Sequence, residues 1–141
     1  MALKYLLDTN ICIYIQRRRP PEVIARFHQL KIGDIGMSAI TYGELFFGAR
    51  KSKWSAQAVQ VLEEFATIVP VLSLAPDVAV VYGELRAELE SEGRVIGAND
   101  LWIASHAITL ELTLVTNDES EFGRVGGLAV ENWVQRTDRP N

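Results

Sequence analysis

The stretch LKYLLDTNICIYI, residues 3–15, decides how this chain is read. Leu3 to Leu7 is short and mostly apolar, the length and character of a buried strand. Asp8, Thr9 and Asn10 follow, all of them residue types that start helices well. From Asn10 to about Gln16 the pattern is that of a short helix, with Cys12 in its apolar run. A buried strand passing through an acidic residue into a helix is the opening of a βαβ unit, and the same alternation continues along the chain.

Pro20 and Pro21 suit the first turn of a second helix running to about Leu30. A short strand is expected around Ile35 to Met37, and Ser38 can cap the helix that carries Glu44. Trp54 to about Thr67 reads as a further helix and Val69 to Leu74 as a third strand. Pro76 and Asp77 open a helix that runs to about Ser91, with Gly93 ending it. Asn99 is expected to cap a helix from Asp100 to Leu110. Leu112 to Thr116 forms a fourth strand, and Leu128 to Val130 a short fifth. The expected fold is α/β: a three-layer α/β/α sandwich around a central, mostly parallel sheet of four to five strands. Residues 1–134 are read as one domain and residues 135–141 as a polar tail that frays.

With 141 residues, of which 48% are hydrophobic and 23% charged, the chain has the composition of a globular protein that needs no disulfide or zinc staple. Cys12 is the single cysteine, which excludes an internal disulfide and fits a reducing cytoplasm. No leader sequence and no apolar stretch of membrane-spanning length are evident, so the expected location is cytoplasmic, with no membrane partner. The net charge of −4 argues against a generally basic nucleic-acid-binding surface. Two local groups, Arg17-Arg18-Arg19 and Arg50, Lys51 and Lys53, are still available to phosphates.

Four acids stand where an α/β chain puts its chemistry. Asp8 and Asp118 each follow a predicted strand, on the side of a parallel sheet where ligands bind. Asp100 opens an apolar helix, and Glu44 sits in a mostly apolar one beside Ile40, Thr41, Phe47 and Gly48. Each has a plain structural alternative: helix capping for Asp8 and Asp100, a turn for Asp118, the edge of a buried face for Glu44. Together they form a set whose natural partner is a hard divalent cation, because clustered carboxylates repel and an unpaired buried charge is costly. The chemistry that follows is metal-assisted attack on a phosphodiester.

Taken in order, five segments carry a resemblance: LLDTNICIYI (Leu6 to Ile15), SAITYGELFFGARKS (Ser38 to Ser52), IGANDLWIASHA (Ile96 to Ala107), LTLVTNDESEF (Leu112 to Phe122) and LAVENW (Leu128 to Trp133). As a set they resemble the PIN-domain ribonucleases, and more closely the VapC-type toxins of bacterial toxin–antitoxin pairs. The resemblance implies that Asp8, Glu44, Asp100 and Asp118 are the catalytic and metal-binding acids, with Mg²⁺ as the cofactor and Mn²⁺ able to replace it. It adds Asn10, Thr116, Asn117 and Glu121 as auxiliary positions, with Thr9, Ser38 and Asn99 also inside the motifs. It further implies a homodimer, a cognate VapB-type antitoxin lying over the active-site groove, operator DNA bound only through that antitoxin, and an RNA substrate, with tRNA favoured.

Two other classes fit the residues less well. A phosphatase using an aspartyl intermediate places a second acid two residues after the first, where this chain has Asn10. A receiver-like signalling module has paired acids near the first strand and a lysine after the last, and neither pattern appears. The two histidines, His28 and His106, lie on predicted helices, and no Cys–His set suits zinc. Trp54, Trp102 and Trp133 are scattered as packing residues are. Of the adjacent Phe46 and Phe47, one is expected in the core and the other at a partner surface.

Overall fold

The computed structural model describes residues 3–135. Of the tail expected to fray, only Gln135 falls within that range. In chain order the elements are β1 (Tyr5–Leu7), α1 (Thr9–Arg17), α2 (Pro21–His28), β2 (Ile35–Ser38), α3 (Ala39–Lys51), α4 (Ser55–Ile68), β3 (Val71–Leu72), α5 (Pro76–Ser91), α6 (Ala98–Thr109), β4 (Thr113–Val115), α7 (Glu119–Phe122) and β5 (Val130–Glu131).

All the strand pairs are parallel, in the order β3-β2-β1-β4-β5. Tyr5 at the start of β1 pairs with Ile35 on one side and Thr113 on the other. The chain winds outward from β1 through β2 to β3, then returns across the sheet to β4. Because crossovers between parallel strands are right-handed, this reversal puts the later helices on the opposite face.

Side-chain alternation along the strands divides the interior accordingly. Leu7, Ile35, Met37 and Val115 face a core built with Ile11, Cys12 and Ile15 of α1, Val23 of α2, Leu45 of α3, and Leu62 and Phe65 of α4. Leu6 and Leu114, one residue out of phase, face a second core with Leu89, Leu101, Ile103 and Phe122. The expected α/β/α sandwich is therefore present, with helices on both sides of a five-stranded sheet.

Where the structure differs from expectation, the differences have physical causes. β3 is confined to Val71–Leu72 and β5 begins at Val130, because edge strands pair on one side only and end where the neighbouring ladder ends. Val69, expected in a strand, instead terminates α4 and is fully buried. Gly97, not Asn99, is the N-cap of α6, and Asn99 lies inside the first turn. The short α7 has no apolar period to announce it; Asp118 starts it by accepting a hydrogen bond from Glu121 N. Phe46 and Phe47 are both exposed, since the buried face of α3 is Thr41 and Leu45. No helix among the described residues is long and apolar enough to cross a membrane.

Candidate active site

The reversal of winding lies between β1 and β4, and a parallel sheet opens a crevice at the carboxyl ends of strands at such a point. Asp8 follows β1 there, and Thr116, Asn117 and Asp118 follow β4. α3 and α6 bring Glu44 and Asp100 to the same end.

Asp8 is the most rigidly held of the acids. It is 4% exposed, and both carboxylate oxygens are occupied: Oδ1 accepts from Thr9 N at 2.8 Å and Oδ2 from Thr116 Oγ1 at 2.7 Å. It thus both caps α1 and faces the crevice. Burial raises its pKa above the ordinary carboxylate value; the two hydrogen bonds oppose the rise, and Glu44 and Asp118 add to it.

Glu44 is only half-buried, at the edge of the buried face of α3. Its Oε1 accepts from Thr9 Oγ1 at 2.6 Å, and its Oε2 lies 3.4 Å from Asn99 Nδ2 on α6. Thr41, one turn earlier on α3 and fully buried, lies 3.2 Å from the same Thr9 hydroxyl. The residue next to Asp8 therefore links the first acid to Glu44.

Asp100, Asp118 and Glu121 form the other half of the cluster, each offering an oxygen within 4.8 Å of the other two. Glu121 Oε1 accepts from Gly97 N at 2.6 Å, at the very start of α6. A Cβ on Gly97 would stand 3.4 Å from that oxygen, an ordinary van der Waals contact. Asp118 Oδ1 accepts from Glu121 N and Ser120 Oγ, both at 3.2 Å. Asp100 carries the strain of this arrangement: its pKa is pushed up to about 7, first by burial, then by the charges of Asp8 and Glu121, a hydrogen bond with Glu121, and the charge of Glu44. All four principal acids predicted from the sequence thus converge at one end of the sheet. They do so as two groups, with Asp8 and Glu44 joined through Thr9, and Asp100 and Asp118 gathered with Glu121 at the start of α6 and α7.

The auxiliary positions sort differently. Thr116 is fully buried and serves Asp8, and its hydroxyl also accepts from Asp118 N at 3.0 Å. Asn10 and Asn117 hold the rim: Asn117 N lies 3.4 Å from Asn10 Oδ1, and Asn117 Nδ2 donates to Tyr14 Oη at 3.2 Å. Ser38 caps α3 as the sequence suggests, and its full burial keeps it away from any ligand. Thr41 and Gly97 were missed by sequence reasoning. The signal for Thr41 was a polar residue one turn before Glu44 on an apolar face; the role of Gly97 depends on a backbone N–H and has no side-chain signal.

A metal fits this donor set. Every side-chain donor is an oxygen, the preference of a hard cation such as Mg²⁺. Among the described residues the ion pairs are Arg26–Glu131, Arg86–Glu90 and Arg94–Glu92, so no Lys or Arg neutralises the cluster. Beside it a groove of about 490 Å³ runs between α1, α3 and α4, with Thr9 and Glu44 at one end and Arg17, Trp54 and Leu62 along it.

The PIN-domain family model matches residues 5–128. The chain is 45% identical over 132 residues to ribonuclease VapC2 of Haemophilus influenzae, covering 94% of this chain and 99% of that one. It is 42% identical to the tRNA(fMet)-specific endonuclease VapC of Shigella flexneri, covering 93% and 98%. Its fold superimposes on one chain of the VapBC2 complex of Rickettsia felis, solved with a DNA fragment from the promoter, with a TM-score of 0.86, 39% identity and coverage of 94% of this chain and 100% of that one.

Proposed function

Since this chain belongs to the PIN-domain family, among its VapC ribonucleases, we propose that it is a Mg²⁺-dependent endoribonuclease that acts as the toxin of a toxin–antitoxin pair. The observation that carries the reading is the convergence of Asp8, Glu44, Asp100 and Asp118, from four separate segments, at the switch point of the sheet, with no ion pair to a Lys or Arg among the described residues.

In this reading Asp8 and Asp100 are the principal metal ligands, with Glu44, Asp118 and Glu121 as further acids of the site. Bound Mg²⁺, or Mn²⁺ in its place, supplies charge neutralisation at the scissile phosphate and lowers the pKa of a coordinated water. The protein's part is preorganisation. Thr9 N and Thr116 hold Asp8 in one orientation before any ligand arrives. The Thr9 hydroxyl fixes Glu44. Asp100, raised by burial and by its acidic neighbours, would give up its proton to hold a cation together with Glu121. Asn10 and Asn117 offer amide groups at the rim, where a phosphate or its water would arrive.

The partners follow from the relatives. RNA is the substrate, with tRNA favoured by the name of the Shigella protein. A VapB-type antitoxin binds this chain, as in the VapBC complexes, and we place its terminal segment in the groove beside Glu44. Operator DNA is reached through the antitoxin. The functional unit is a homodimer of single-domain chains, residues 1–134 each, working in the cytoplasm.

The test uses purified protein with tRNA and Mg²⁺, and EDTA as control. Asp8→Asn and Asp100→Asn should abolish cleavage while the circular dichroism spectrum is retained. Parental cleavage by the double variant would overturn the assignment. Expression should arrest growth, and co-expression of the antitoxin encoded beside it should relieve the arrest.

A further inference from the structure

Resting on the reading of Glu44 and Asp100 as metal-holding acids, we infer that His106, through its bond to Ser38, is a positioning residue that sets the separation of the two helices bearing them. His106 and Ser38 are both fully buried, 68 residues apart in sequence, with Nδ1 and Oγ at 2.9 Å. Ser38 Oγ also accepts from Ile40 N at 3.1 Å, so the bond from α6 enters α3 at its capping residue. With Oγ accepting there, the hydroxyl proton is free to donate to Nδ1.

As many residues separate Ser38 from Glu44 as separate Asp100 from His106. The two helices run antiparallel, and they are pinned at both ends of this shared span. Near the carboxylates the pin is Asn99 Nδ2 to Glu44 Oε2 at 3.4 Å, long and exposed, where water competes for both groups. At the base it is Ser38–His106, dry and short. The base contact therefore carries the geometry.

Packing alone does not call for histidine here. Its buried neighbours on α6 include Ile103, Ala104 and Ala107, and an apolar side chain would fill the volume. Nε2 faces the Ser73 backbone but makes no hydrogen bond of ordinary geometry, a desolvation penalty that an apolar residue would avoid. What histidine alone contributes is the bond at Nδ1. A sub-ångström shift of α6 along α3 would carry Asp100 away from Glu44 and Asp8, and metal sites are sensitive on that scale.

The experiment titrates Mn²⁺ into the full chain by EPR and follows RNA cleavage in parallel. His106→Leu is expected to bind Mn²⁺ about tenfold more weakly and to lose kcat by a similar factor with KM unchanged. His106→Asn, whose amide puts a hydrogen-bonding atom where Nδ1 stands, should recover most of both. A merely structural histidine would lower Tm in His106→Leu and leave the Mn²⁺ affinity of the folded protein untouched; that result overturns the proposal. Should His106→Leu fail to fold, Ser38→Ala removes the same bond, and Mn²⁺ affinity within about twofold of the parent would overturn it equally. Glu44→Gln and Asp100→Asn run alongside. If both keep parental Mn²⁺ affinity, the site reading fails and this inference with it. If they lose affinity while the His106 and Ser38 variants keep it, only the positioning role fails.

Discussion

Thr116 Oγ1 donates a 2.7 Å hydrogen bond to Asp8 Oδ2 across 108 residues of sequence, tying the end of β4 to the end of β1. Neither residue is open to bulk water, with Thr116 at 0% and Asp8 at 4% exposure. The same hydroxyl accepts from Asp118 N, so one small side chain organises two of the acids.

Thr116→Val tests that relationship, because it keeps the shape and removes the hydroxyl. The buried carboxylate then loses a donor, which should cost about 1–3 kcal/mol in urea denaturation at neutral pH. Metal affinity should drop by about tenfold or more, since the orientation of Asp8 is no longer fixed. Thr116→Ser should recover both. A Val variant with parental stability and Mn²⁺ affinity would show the bond to be incidental.

The metal-free protein should show an inverted pH dependence around Asp100. A carboxylate usually gains stability in the fold through a lowered pKa. Here the folded-state value is raised from 3.8 to about 7, burial first and the neighbouring carboxylates after it. Between those two values the folded protein holds a proton that the unfolded chain has released, so the contribution of this group is fully present below the window and is lost as pH rises through it. Asp8, also raised, acts in the same direction. In EDTA, Asp100→Asn should therefore melt higher than the parent at about pH 8, and the difference should shrink toward about pH 5. Melting curves in which Asn is neutral or harmful at the higher pH would contradict this. Saturating Mg²⁺ should reverse the order at about pH 8 by stabilising only the parent.

How far all this was legible in the sequence depends on whether a feature is local. Asp8 and Asp118 could be placed because a strand end is visible as the end of an apolar run, and parallel topology fixes which end of the sheet it meets. Glu44 stood out as a charge on a mostly apolar helix, although its neighbours Phe47 and Gly48 turn out exposed, so it reaches the crevice from an edge. What stayed hidden depends on pairings between distant segments. Nothing near Thr9 announces that its hydroxyl serves Glu44, and nothing near Asn99 shows that Gly97 takes the capping position. The edge strands β3 and β5 were misjudged in extent because their length is set by the neighbouring strand. The division of the acids into two groups is a property of the assembled sheet.

Away from the site, Arg26 should prove a stability residue without catalytic weight. Its guanidinium lies 5.6 Å from the ring centres of both Tyr5 and Trp133, and it donates to Tyr5 Oη at 3.0 Å and Glu131 Oε1 at 3.2 Å. Trp133 Nε1 donates to the same Glu131 oxygen at 2.9 Å, which locks the chain after β5 against β1. The Arg26 side chain is 34% exposed, so the ion pair itself contributes little and the contact with the two rings contributes most. Arg26→Ala should cost about 1 kcal/mol, and Arg26→Lys nearly as much, because the ammonium lacks the planar face that lies over the two rings. Cleavage per folded molecule should not change in either. A Lys variant as stable as the parent would mean that charge, and not the planar guanidinium, is what matters.

The last question is whether Asp118 acts through its charge or through its place at the start of α7, and two substitutions separate these. Asp118 Oδ1 accepts from Glu121 N and Ser120 Oγ, and the amide oxygen of asparagine can accept both. Asp118→Asn should then keep α7 and lie within about 0.5 kcal/mol of the parent in stability, whereas Asp118→Ala loses the cap and should cost about 1 kcal/mol. If the charge belongs to the metal site, both variants weaken Mn²⁺ binding, by about tenfold each, despite their different stabilities. Glu121→Gln provides the comparison within the same group of acids: its amide oxygen can still accept from Gly97 N, while the charge beside Asp100 is gone, so the pKa of Asp100 should fall toward the ordinary carboxylate range. Mn²⁺ affinity unchanged in Asp118→Asn but reduced in Asp118→Ala would assign Asp118 to capping and leave Glu121 as the acid that matters at the start of α6.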